Sequence, residues 1–148
     1  MELTGHHLIG DTTGAVGQET FQAQDPSSQA VLSPAFHEAT VSEVGMALRL
    51  GQECFDTFRA TTAEDRAAFL EAIADEVMAL GDALLERAHQ ETGLPMARLT
   101  GERGRAVNQA KLFAGLIREG SWVDARIDLA LPDRQPLPKP DIRRMLAP

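Results

Sequence analysis

The chain has 148 residues, a formal net charge of −8, 24% charged and 43% hydrophobic residues, and one cysteine. The length suits a single ordinary domain with its own core, and the acidic balance argues against nucleic acid, since Arg98, Arg103 and Arg105 are answered by Glu102 and Lys111 stands alone. No apolar run approaches the ~18 residues of a membrane span, and the opening MELTGHHLIGDTTG lacks the layout of an export signal. A lone cysteine excludes an internal disulfide and suits a reducing compartment, so a cytoplasmic location is expected.

Residues 1–33 are rich in Gly, Thr, Ser and Gln. Apolar alternation around His7–Ile9 and Thr20–Ala23 predicts short strands, with a glycine-containing turn near Asp11–Gly17. Asp25-Pro26-Ser27-Ser28 reads as a second turn, because proline presets φ and the aspartate can bond the backbone ahead of it.

The period lengthens at Thr40. Thr40 and Glu43 have the spacing of a capping box, and Val41, Val44, Leu48, Phe55 and Phe58 follow on one helical face. A second helix opens at Thr61-Thr62, with Glu64 and Asp65 in the first turn, where the helix dipole favours negative charge. Its stripe is Phe69, Leu70, Ile73, Val77 and Leu80, closed by Gly81. Asp82 is expected to cap a third helix through Leu84, Leu85 and Ala88 to Gly93. Pro95 suits the first turn of a fourth, running through Leu99, Ala106, Phe113 and Ile117 to Gly120. These four helices are expected to pack as one unit around Val44, Leu48, Phe55, Phe69, Ile73, Val77, Leu84, Leu99, Phe113 and Ile117. On that register Ile73→Ala would leave a core cavity costing about 2–5 kcal/mol.

Beyond Gly120, Trp122, Ala125, Ile127, Leu129 and Leu131 lie near alternating positions, with Asp124, Arg126 and Asp128 between them. That pattern predicts a half-buried strand with one wet face. Pro132, Pro136, Pro138 and Pro140 then enforce an extended connection into a returning strand over Asp141–Leu146. The strand over Ser121–Leu131 has few evident partners, and a bare strand edge recruits another chain, so self-association or a partner is expected.

Candidate chemistry is sparse. His6 and His7 are adjacent while His37 and His89 stand apart, so no pair has the helical spacing of a zinc motif. Gly101-Glu102-Arg103-Gly104 is too short for a phosphate cradle and falls inside a helix, where its glycines point to close approach by another element. Glu64/Asp65 and Asp75/Glu76 sit at a helix start or on a polar face and read as solvated surface. No catalytic, cofactor-binding or metal residue is assigned. The residues by themselves leave open a non-catalytic helical module that binds a partner through apolar surface, or a small self-contained enzyme, the latter disfavoured because no catalytic set is visible.

The run from Phe58 to Arg105, FRATTAEDRAAFLEAIADEVMALGDALLERAHQETGLPMARLTGERGR, resembles the N-terminal helical region of an aldehyde dehydrogenase, and within that family the α-ketoglutarate semialdehyde dehydrogenase branch. TGHHLIG, SPAFHEATVSEV and REGSWVDARIDLALPDRQPLPKPDIRRMLAP agree in order, so the resemblance covers nearly the whole chain. LIGDTTGAV departs from the family pattern in lacking the tryptophan often found after the glycines.

The resemblance implies an α+β partial aldehyde dehydrogenase fold within one N-terminal segment, 1–148. Its parts would be a strand and turn region over 1–33, a helical region over 40–119, and an extended oligomerisation-type arm over 121–148. It implies NADP or NAD as cofactor of the complete enzyme, none of it bound by this segment, and the remaining dehydrogenase domains or a second copy as partner. In the family a thiolate attacks the aldehyde, hydride passes to the nicotinamide and water hydrolyses the thioester; for 2,5-dioxopentanoate the product is 2-oxoglutarate. The nucleophile, the base glutamate and the oxyanion-hole asparagine map beyond Pro148.

Gly51-Gln52-Glu53-Cys54 matches the Gly-Gln-x-Cys context of the family's nucleophile, but not its place in the chain. Cys54 lies within an amphipathic stretch beside Glu53 and Asp56, whose charges disfavour a thiolate. It is expected to be a buried packing residue, slow to react with a thiol reagent.

Overall fold

The computed structural model describes residues 3–146. The elements are, in order, β1 (His7–Ile9), β2 (Thr12–Gly14), β3 (Thr20–Phe21), β4 (Phe36–His37), α1 (Val41–Arg59), α2 (Ala63–Ala79), α3 (Gly81–Thr92), α4 (Met96–Glu119), a 3-10 turn (Ser121–Val123), β5 (Arg126–Asp128) and β6 (Ile142–Arg144). The fold is α+β: four helices, with strands paired antiparallel as β1–β2, β3–β4 and β5–β6.

The centre of the molecule is the contact between α2 and α4. Ala67 and Ala74 on α2 are seven residues apart, as are Val107 and Ala114 on α4, so each pair recurs on one face after two turns. All four are buried, the three alanines almost completely. Small side chains let the two helices approach closely. Polar ties along the seam fix an antiparallel register. Arg118 donates to Glu64 and to Glu71 at 2.6–2.9 Å, Lys111 meets Asp75 at 3.1 Å, and Arg103 reaches the carbonyl of Gly81 at 2.7 Å. Arg118 holds both carboxyls below the ordinary glutamate range by hydrogen bonding them. Leu85 and Leu99 complete the buried core.

This core differs from the one expected. Val44, Leu48, Phe55, Phe69, Ile73 and Phe113 are exposed, and Val77, Leu84 and Ile117 are only half-buried; of the expected set, Leu99 alone is buried. The four helices therefore do not form one unit. α1 lies apart, packing on β1 and meeting α2 through an edge-on contact of Phe58 with Phe69 at 6.1 Å. Periodicity locates an apolar face but not its partner, and here the small residues took the interior.

The helix ends follow local chemistry. Thr40 and Glu43 form the capping box, and Thr62 caps α2 by accepting from the Asp65 amide. Pro95 is the N-cap of α4, and Gly120 ends that helix at φ 78°, a left-handed conformation that glycine adopts without steric cost. Asp82 does not cap α3; it lies inside the helix, whose N-cap is Leu80, two residues earlier, without a side-chain cap. Gly101 and Gly104 admit no close neighbour: a Cβ on either would meet open space.

The first hairpin turns at Gly10-Asp11, earlier than expected, with His7 opposite Gly14. The Asp25 turn forms as read, its carboxylate accepting from the Ser27 amide at 2.7 Å and the Ser28 hydroxyl at 2.8 Å. β4, which carries no apolar alternation long enough to recognise, pairs with β3 and stacks Phe36 on Phe21. Arg87 of α3 bonds the Ser33 carbonyl and lies over the Phe36 ring, docking this strand pair on the helices.

Glu43 joins the first hairpin to α1. Its carboxylate is 5% exposed and accepts from the Val16 amide at 2.8 Å, the Thr40 amide at 2.8 Å and the Thr40 hydroxyl at 2.7 Å. The Thr40 amide and hydroxyl, then the Val16 amide, pull its pKa from 4.5 down to about 2, against the opposing effect of burial. A carboxylate depressed on folding stabilises the fold above its unfolded pKa and loses that contribution as pH falls through the folded one. Chemical denaturation should therefore show stability falling between about pH 5 and about pH 2, and Glu43→Gln should flatten that slope and lower stability at neutral pH. An unchanged slope in the variant would remove Glu43 from this role.

The seam carries a second expectation. Ala74→Leu should cost about 1–3 kcal/mol by overpacking, whereas Ile73→Ala, at a side chain 42% exposed, should cost about 1 kcal/mol. Urea midpoints for the two variants in the opposite order would contradict the placement of the core.

Candidate functional site

Cys54 is the only residue whose local sequence matches a catalytic context, and its surroundings decide what it can do. It lies in the fourth turn of α1, inside regular helix, with its thiol donating to the Gly51 carbonyl at 3.4 Å. The expected burial is overturned: Cys54 is exposed, as is every residue from Gly51 to Ala60. The reason is the same bare helix face, since no other helix packs over it. The tip of the first hairpin approaches nearby, and Leu8, Ile9 and Gly10 with Ala47, Leu50, Gly51 and Cys54 line an open groove of about 420 Å³. The groove is apolar. No histidine or carboxylate lines it, so it supplies neither a general base nor a polarising group for the thiol.

His37 and His89 are engaged locally. His37 Nδ1 meets the Gly17 carbonyl at 2.9 Å, His89 Nδ1 meets the Leu94 carbonyl at 2.7 Å, and the rings of His6 and His37 are 5.6 Å apart. Among the described residues no group of three His, Cys, Asp or Glu side chains is placed to hold a metal. Glu64 and Asp75 are solvated surface as read, 69% and 71% exposed, and they also pair across the helix seam with Arg118 and Lys111. That pairing was hard to read: Glu64 and Glu71 share a face two turns apart, but nothing local marks Arg118, over forty residues on, as their partner.

Two surfaces remain. One is the outer face of α1, where Val41 is 92% and Leu48 71% exposed. The other is the C-terminal arm. β5 is shorter than the strand expected over Ser121–Leu131, and it is paired with β6 rather than unpartnered, Arg126 facing Arg144 and Asp128 facing Ile142. Asp124 neutralises Arg126 and Asp128 neutralises Arg144, so like charges sit opposite each other without a net penalty. Further out, Leu131 and Lys139 exchange backbone hydrogen bonds at 2.8 and 3.0 Å around the proline-rich tip. The arm does not have the one buried face expected: Ile127, Leu129 and Leu131 are all exposed. It is a two-stranded ribbon that carries both charged and exposed apolar side chains, with both outer edges free among the described residues.

Residues 14–137 match the aldehyde dehydrogenase family. The chain belongs to that family. It is 52% identical over 144 residues to alpha-ketoglutaric semialdehyde dehydrogenase 2 of Azospirillum brasilense, and 40% identical over 143 residues to alpha-ketoglutaric semialdehyde dehydrogenase of Acinetobacter baylyi. Each alignment takes in 97% of this chain but 27% of the relative, and the chain corresponds to an N-terminal part of an aldehyde dehydrogenase. Among solved structures it superposes on succinate-semialdehyde dehydrogenase of Burkholderia pseudomallei with a TM-score of 0.72 and 29% identity, over 86% of this chain and 26% of that one. Betaine aldehyde dehydrogenase of Staphylococcus aureus gives 0.76 at 22% identity, over 88% and 26% respectively, which shows the fold.

Within this aldehyde dehydrogenase segment, exposed Cys54 should react with a thiol reagent at a rate close to that of a free model thiol, in native buffer and without denaturant. Protection by an order of magnitude or more would show that α1 is covered in solution.

Proposed function

We propose that this chain is the N-terminal scaffold of an NAD(P)-dependent aldehyde dehydrogenase that oxidises 2,5-dioxopentanoate to 2-oxoglutarate in the cytoplasm. The observation that carries the reading is the 52% identity, over 97% of the chain, to an alpha-ketoglutaric semialdehyde dehydrogenase. The nicotinamide nucleotide is the family's cofactor, and the Staphylococcus aureus relative was solved with NAD+. Among the described residues, the two features that could be asked to hold it do not fit that group. Gly101 and Gly104 lie within α4 and form no phosphate cradle, and the α1 groove is apolar throughout. No step of the reaction is assigned to this segment. Its contribution is architectural, as the strand and turn region over 1–33, the helices over 40–119 and the arm over 121–148.

The complete enzyme carrying this segment should reduce NADP or NAD with 2,5-dioxopentanoate at a higher kcat/KM than with succinate semialdehyde, and Cys54→Ser in that enzyme should leave kcat unchanged. The 148-residue chain assayed alone should give no turnover above blank. Turnover by the isolated chain, abolished by Cys54→Ser, would overturn both the scaffold reading and the dismissal of Cys54 as nucleophile.

The arm favours assembly with the remaining dehydrogenase domains or with a second copy. Outer ribbon edges that no strand covers among the described residues, with exposed Ile127, Leu129 and Leu131, are suited to extend another sheet. Sedimentation of the isolated chain at several concentrations should show dimer or larger species, and Ile127→Lys with Leu129→Lys should shift it toward monomer. A compact monomer at all concentrations, with protected amides along both ribbon edges, would exclude the ribbon as an assembly element.

A further inference from the structure

We draw no further inference here: the strongest candidate, the exposed apolar face of α1 formed by Val41, Leu48, Phe55 and Phe58, is an unpartnered helix surface, and nothing in the structure shows what covers it.

Discussion

The close approach of α2 and α4 is the constraint on which the rest of the segment depends. Ala67, Ala74 and Ala114 leave no room for a bulky side chain between the helices, so dispersion between two backbones takes the place of interdigitated leucines. The larger apolar residues on the same helices are pushed to the flanks of the seam, which is why Phe69, Ile73 and Phe113 stay partly exposed. Arg118, Lys111 and Arg103 then work as register pins. Arg118 and Lys111 sit on α4 opposite carboxylates progressively further along α2, and Arg103 reaches the Gly81 carbonyl at the start of α3, so sliding α4 past its neighbours would unpair them. Their value lies in fixing orientation, because ion pairs this open to water are screened and individually weak.

Around that centre the molecule is assembled from local ties. Glu43 clasps the first hairpin to the start of α1, and Arg87 holds the second strand pair against α3. Gly17 is needed in the same neighbourhood, since a Cβ there would lie 2.2 Å from the Glu38 carbonyl oxygen. These are single polar contacts in a region of little buried apolar area. The strand pairs are two and three residues long, below what an isolated hairpin needs to persist in water, so they depend on the helices they touch.

The distribution of surface and chemistry is what supports the scaffold role proposed above. An aldehyde dehydrogenase needs an activated thiolate and a seat for the nicotinamide nucleotide. The one thiol here points from a helix face with carboxylates beside it in sequence and an apolar groove before it. What the segment presents instead is an apolar helix face and a ribbon with open edges, features whose apolar area is stabilised only when another body covers it.

Much of the local structure was legible from the residues, because it is set over four or five neighbours. The capping box at Thr40 and Glu43, the cap at Thr62, the Asp25 turn and the glycine stop at Gly120 are each decided by a side chain or a φ angle within one turn of the chain. The family was legible for a different reason: the order of motifs from TGHHLIG to the proline-rich arm spans nearly every residue. The core was not. Alternation and helical period say that Leu48, Phe55 and Ile73 lie on apolar faces, but not whether another element meets those faces. Burial is a property of two surfaces together, and one surface is all that a periodic stretch of sequence describes. Tertiary structure alone decided that alanines would occupy the seam, that Arg118 would bridge Glu64 and Glu71 from across the bundle, that β5 would find β6 beyond four prolines, and that Cys54 would face outward.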